Sequence, residues 1–230
     1  MSKIVHDPSE YIRGVQQILI SDKKRIGFLF GAGTSLVRKN DQSQTVPAIS
    51  VMTAQIINEL TDKKTCTKTE VYKKVFDELK AEMTAAKFNV ETILSNLEQK
   101  HLVISNGTLN GLSKDALGEL IVTFKAKIKD KVSVHKYIGS DQKEHLIQTD
   151  FADWIGQANR KYPVEIFTTN YDYLFEVGLE HHNIPYYCGF SGSYEPFFSP
   201  ETVEDLSFLS NQAKLWKIHG SLGWRHDKDT

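Results

Sequence analysis

Three short stretches of this chain hold residue types whose chemistry converges. The first is Gly31-Ala32-Gly33-Thr34-Ser35, which follows the apolar run Ile26 to Phe30. A turn of this kind lets backbone N–H groups approach a phosphate with no Cβ in the way. A helix starting next would point its positive end at the same place. The second is Thr168-Thr169-Asn170-Tyr171-Asp172, whose carboxamide can orient water without carrying charge. The third is His219-Gly220-Ser221, whose imidazole can accept a proton near neutral pH.

Each stretch also has a plainer reading. Gly31-Ala-Gly33 can be a simple strand-to-helix turn. A hydride-transferring dinucleotide enzyme is not expected, because Leu36 stands where a third glycine belongs. An acidic residue about twenty positions on, to grip a ribose, is also missing. Asn170 can cap the helix that follows it, a role asparagine fills well. His219 can be a turn residue at a strand end. The three together favour function over coincidence.

The bulk of the chain narrows the classes. The 230 residues can bury a good core, as one domain or as one domain with an insertion. With 28 basic and 29 acidic residues the net charge is -1, which argues for neither direct nucleic-acid binding nor a membrane surface. No apolar run is long enough to span a bilayer, and the first residues lack a signal peptide's apolar core. Two cysteines, Cys66 and Cys188, build neither a disulfide framework nor a four-cysteine zinc site. No metal is expected, and the cytoplasm is the expected compartment.

The elements that must position the three stretches follow in order. Asp7-Pro8-Ser9-Glu10 starts a helix that carries Tyr11, Ile12, Val15, Ile18 and Leu19 on one face. Ile26 to Phe30 is a strand. Arg38 to Thr45 reads as a mobile polar loop beside the phosphate turn. Val51 to Leu60 is a helix, and helical periodicity continues with caps at Asn89 and Ser113. With no strand between about residues 50 and 145, this part reads as a helical insertion. Leu146 to Arg160 is a further helix. Val164 to Thr168 is a strand, Tyr171 to His182 a helix, and Ile184 to Cys188 a strand. Gly189 to Pro200 is an aromatic loop, and Leu215 to Ile218 the last strand. The fold expected is α/β, a Rossmann-like and mostly parallel sheet with helices on both faces. Ligands of such sheets bind outside the carboxyl ends of the strands, where all three stretches fall.

Gly31-Ala-Gly-Thr-Ser35, Thr168-Thr-Asn-Tyr-Asp172 and Ile218-His-Gly220 resemble, in order, the motifs of the sirtuin superfamily. Pro47 and Asn89-Val-Glu91-Thr-Ile-Leu-Ser look more like the sirtuin-like domains of bacterial antiphage defence than like the protein deacylases. The resemblance implies one sirtuin-like NAD-binding domain over residues 1–230, with NAD as ligand and substrate. It implies that Gly31, Ala32, Gly33, Thr34 and Ser35 hold the pyrophosphate. Asn170 and His219 are then catalytic, the first beside the nicotinamide ribose, the second as a base on the ribose hydroxyls. Asn170, Tyr171, Asp172 and Gly220 also contact the dinucleotide, with Asp172 near the nicotinamide amide.

The implied activity is NAD hydrolysis to nicotinamide and ADP-ribose, which depletes NAD on infection. Such an enzyme must be silent beforehand, so a homo-oligomer or a regulatory protein partner is expected. Two alternatives stay open, an NAD-dependent protein deacylase and a non-catalytic module that senses NAD or ADP-ribose. The deacylases usually carry a four-cysteine zinc module, which this chain lacks. The family also places further strands beyond the histidine, and eleven residues follow His219. The C-terminal part of the fold is therefore expected to be missing.

Overall fold

A computed structural model describes residues 7–41, 45–205 and 207–225. The described elements run α1 (Pro8–Ile20), β1 (Ile26–Phe30), α2 (Gly33–Leu36), α3 (Ile49–Thr61), α4 (Thr69–Glu82), α5 (Val90–Val103) and α6 (Lys114–Val132). Two 3₁₀ turns follow, Val134–Tyr137 and Ser140–His145. The chain continues as α7 (Ile147–Gly156), β2 (Val164–Thr168), α8 (Leu174–His181), β3 (Tyr186–Tyr187), β4 (Phe190–Ser191), β5 (Phe197–Phe198), α9 (Pro200–Glu204) and β6 (Ala213–Lys217). It divides into two compact units. One is Val46–Val134; the other comprises the residues before Val46 and those from His135 onward.

The second unit is a Rossmann-like α/β domain. Its four-stranded sheet has the order β1-β2-β6-β3, and every pairing is parallel. Phe30 is level with Thr168, and Thr168 with Lys217, so three strands end side by side. One face packs on α7 and α8 through Ile166, Leu215, Ala152, Ile155, Phe175 and Leu179. Phe28 and Phe30 extend this core against Phe151 in edge-to-face contacts. Gly178 makes the close approach possible, since a Cβ there would meet the backbone of Gln148 at 2.6 Å. The opposite face is thinly covered. Val203 of α9 reaches a cavity lined by Phe167 and Trp216, while Leu29 is 74% exposed.

Several boundaries differ from the sequence expectation, each for a local reason. The helix expected over Leu146–Arg160 stops at Gly156, and Arg160 donates instead to the carbonyls of Leu19 and Ser21. The helix expected from Tyr171 begins at Leu174, whose N–H is accepted by the Asp172 carboxylate at 3.0 Å. The strand expected over Ile184–Cys188 shrinks to Tyr186–Tyr187. Pro185 offers the sheet only its carbonyl, and Gly189 turns the chain away at φ +89°. The loop Gly189–Pro200 contains the antiparallel pair β4–β5. Asp7 caps α1 by accepting from Ser9 N–H. Yet no residue of α1 is buried, and its apolar stripe is exposed apart from the half-buried Leu19. The polar segment Arg38–Thr45 falls partly outside the described residues; within it, Lys39 pairs with Asp150.

The other unit is a four-helix assembly. Ile56, Val75, Leu79, Ile93, Leu117 and Phe124 are fully buried in it. Asn89 caps α5 by accepting from the N–H groups of Glu91 and Thr92, and Ser113 caps α6. Val90 N–H donates to the Thr53 hydroxyl, so α5 starts against α3. The lysine cluster of α6 is partly neutralised. Lys127 and Lys131 both hold Glu59, and burial of that carboxylate is outweighed by the two ammonium groups, which keep its pKa below the usual value.

Candidate functional site

The site assembles at the carboxyl ends of β1, β2 and β6. After Phe30 the chain turns through Gly31 and Ala32 into α2. Thr34 N–H closes back on the Gly31 carbonyl, and Ser35 N–H on that of Ala32. The helix has only four residues, so the dipole expected to aim at a phosphate is small. Val37 leaves the helix in extended conformation, so it cannot lengthen. Neither Gly31 nor Gly33 has left-handed backbone. A Cβ built on Gly33 meets nothing within 4 Å, and one on Gly31 meets only the Thr169 hydroxyl at 3.9 Å. The fold itself therefore does not require glycine at position 33.

Asn170 is the hub. Thr169 N–H donates to the Phe30 carbonyl, which carries the register of the sheet two strands into the loop. The Asn170 amide then donates to the Gly31 carbonyl at 3.0 Å, the Thr34 hydroxyl at 3.1 Å and the Ser35 hydroxyl at 2.7 Å. The Ser35 hydroxyl in turn donates to the Asp172 carboxylate at 2.6 Å. Asn170, Ser35 and Asp172 are all buried. The structure thus corrects the capping role considered for Asn170. Asp172 holds the first N–H of α8, and Asn170 faces the glycine turn.

Sequence reasoning missed two groups that hold this cluster. Gln148 at the start of α7 is buried and donates to the Thr34 carbonyl at 2.8 Å. Lys217, the last residue of β6, is also buried. Its ammonium donates to the carbonyls of Asn170 and Asp172 and pairs with Glu176 of α8 at 3.1 Å. A lysine closing an apolar strand was the one signal available. Burial pushes the Glu176 carboxyl above the usual range, with the Lys217 ammonium pulling partly back. Its Oε2 is buried and finds no hydrogen-bond partner.

His219 lies two residues beyond Lys217, on the strand next to that of Asn170. Its side chain is exposed, and among the described residues no hydrogen bond links it to Asn170 or to the glycine turn. Gly220 has a structural role of its own, since it bends the chain at φ +95° and returns its N–H to the Lys217 carbonyl. Tyr171 accepts from Leu222 N–H through its carbonyl and so ties the two strand ends together. The aromatic loop Gly189–Pro200 lines a cavity of about 900 Å³ with Glu176 and Lys217. Gly31 to Ser35, Asn170 and His219 are not among the residues around it.

His181 ends α8 and His182 follows it, their rings in edge contact at 5.1 Å. No group of three or more potential metal ligands occurs among the described residues, and Cys66 and Cys188 are free thiols. His226 lies outside the described residues. Among the described residues, no helix is long and apolar enough to cross a membrane.

In open parallel α/β sheets ligands bind outside the carboxyl ends of the strands, which is where the glycine turn, Asn170 and His219 stand. Residues 164–229 match the family model of the SIR2-like domain. Over that stretch the chain is similar to SIR2-like domains. The matched stretch holds Asn170, Asp172 and His219; the glycine turn precedes it and is joined to it by the Asn170 amide. No curated protein matches the chain.

Proposed function

We propose that this domain hydrolyses NAD to nicotinamide and ADP-ribose. One observation carries the reading. A glycine turn with open space before Gly33 is clamped to the loop of Asn170 and Asp172 inside the sirtuin-like fold. With neither backbone strain nor packing requiring glycine at 33, close approach of a ligand remains the reason for it.

Breaking the nicotinamide–ribose bond develops positive charge on the sugar, while the leaving group is already cationic and needs no general acid. Fixed, desolvated polar groups beside that charge lower the barrier. Asn170 and Asp172 are buried and held on both sides, so they require little reorganisation. Asn170 orients water or a ribose hydroxyl, and Asp172 lies near the nicotinamide amide. His219, exposed at the next strand end, meets the ribose hydroxyls from the solvent side and accepts a proton. Gly31 to Ser35 carry the pyrophosphate.

The biological setting in this reading is antiphage defence by NAD depletion in the cytoplasm. Assembly into a homo-oligomer or contact with a regulatory protein releases the activity, and the helical unit Val46–Val134 supplies part of that surface.

Product analysis tests the chemistry. The chain with NAD alone is expected to release nicotinamide and free ADP-ribose. Asn170→Ala and His219→Ala are expected to lose turnover while the circular dichroism stays native. Turnover only with an acetylated peptide would make the domain a deacylase. Saturable NAD binding without turnover would make it a sensor.

A further inference from the structure

We infer that the aromatic cavity beside β6 is a second ligand site, which takes a planar, neutral heteroaromatic ring carrying an amino group, of the nucleobase type. Its volume of about 900 Å³ suits a nucleoside. The walls are Tyr173, Tyr186, Phe190, Tyr194 and Trp224, with Phe190 and Trp224 packed on each other at 5.2 Å between centroids and their planes tilted by 53°. Such walls select a flat ring by stacking.

The charged lining is balanced. Glu176 and Glu195 line it together with Lys217 and Arg225, a balance that disfavours a strongly charged ligand. Lys217 at the floor is engaged by two backbone carbonyls and by Glu176. Glu176 is not saturated: Oε1 meets Lys217, while Oε2 is buried without a partner. A buried acceptor left unmade is costly, and an amino group from a ligand offsets that cost. Rotation about the soft terminal torsion turns the carboxylate toward the cavity at the expense of the Oε1 contact with Lys217. The proposal does not rest on NAD cleavage.

The test compares two nucleosides, adenosine and purine riboside, which share the ring and sugar and differ by the exocyclic amine. Titrations are followed by tryptophan fluorescence, since Trp224 stands at the rim and is 42% exposed. Adenosine is expected to saturate and to bind about tenfold or more tightly than purine riboside. Glu176→Ala is expected to remove that preference. Tyr194→Ala, at a side chain 91% exposed and so harmless to folding, is expected to weaken adenosine about tenfold. Equal affinity for the two nucleosides, or no saturation by either, overturns the proposal. Adenosine binding unchanged by Tyr194→Ala also overturns it, since the nucleoside then sits elsewhere, such as at the glycine turn.

Discussion

Two neighbouring strand ends are built in opposite ways. At the end of β2, Asn170 and Asp172 are buried and bonded to the glycine turn and to Lys217. At the end of β6, His219 stands exposed on a tight turn, without a side-chain hydrogen bond among the described residues. The first end is preorganised, and its polar groups are part of the fold. The second is carried by the fold without supporting it. The same substitution at the two ends should therefore read out differently. A buried hub loses stability together with activity, whereas an exposed acid–base group loses activity alone.

The largest effect is expected beneath the hub. Lys217→Met leaves Glu176 buried without its cation and frees two carbonyls. Breaking a buried pair on one side costs about 3–5 kcal/mol. Urea unfolding should show a loss of that size, and a value under about 1 kcal/mol would mean that the ammonium does not brace the loop. Next comes Asn170→Ala, which removes the amide donor shared by the Gly31 carbonyl and the Thr34 and Ser35 hydroxyls and should cost about 1–3 kcal/mol. The same measurement decides it. A neutral result would return Asn170 to a purely catalytic role.

Glu176 gives the comparison a pH dependence. Its folded pKa is raised above the ordinary 4.5 by burial, against the partial pull of Lys217. Between the unfolded and folded values the native state holds more protons, so this group's contribution to stability falls as pH rises through that window. Glu176→Gln should flatten that fall when urea midpoints are compared from pH 4.5 upward. A slope identical to that of the parent would place the titration elsewhere.

The frame of the domain was legible because its strands are apolar runs that stop at turn residues, as Ile26–Phe30 and Val164–Thr168 do. The caps at Asn89 and Ser113 were legible because capping is local. The braces were not. Lys217 and Glu176 stand far apart in the chain, and nothing in a strand reading predicts that its last lysine turns inward to two carbonyls. Gln148 looks like an ordinary polar residue at a helix start until Thr34 is placed above it. Exposure was equally hidden. The stripe of α1 has the spacing of a buried face, and periodicity states which residues share a face without stating what covers it.

The smallest stability effect and the sharpest test of the contrast fall on His219. Its side chain is exposed and bonded to nothing among the described residues, so His219→Ala should change unfolding free energy by no more than about 0.5 kcal/mol. The turn should survive, because Gly220 rather than His219 supplies its left-handed backbone. Nicotinamide release should nevertheless be lost, since among the described residues no other histidine follows β6. Glutamine at 219 keeps a polar side chain but cannot take up a proton, and should fail equally. Measured side by side with Asn170→Ala, a stable and inactive His219→Ala separates proton transfer from support of the fold. A destabilised His219→Ala would mean that this strand end is a structural hub like its neighbour, and a stable, fully active one would remove the imidazole from the chemistry.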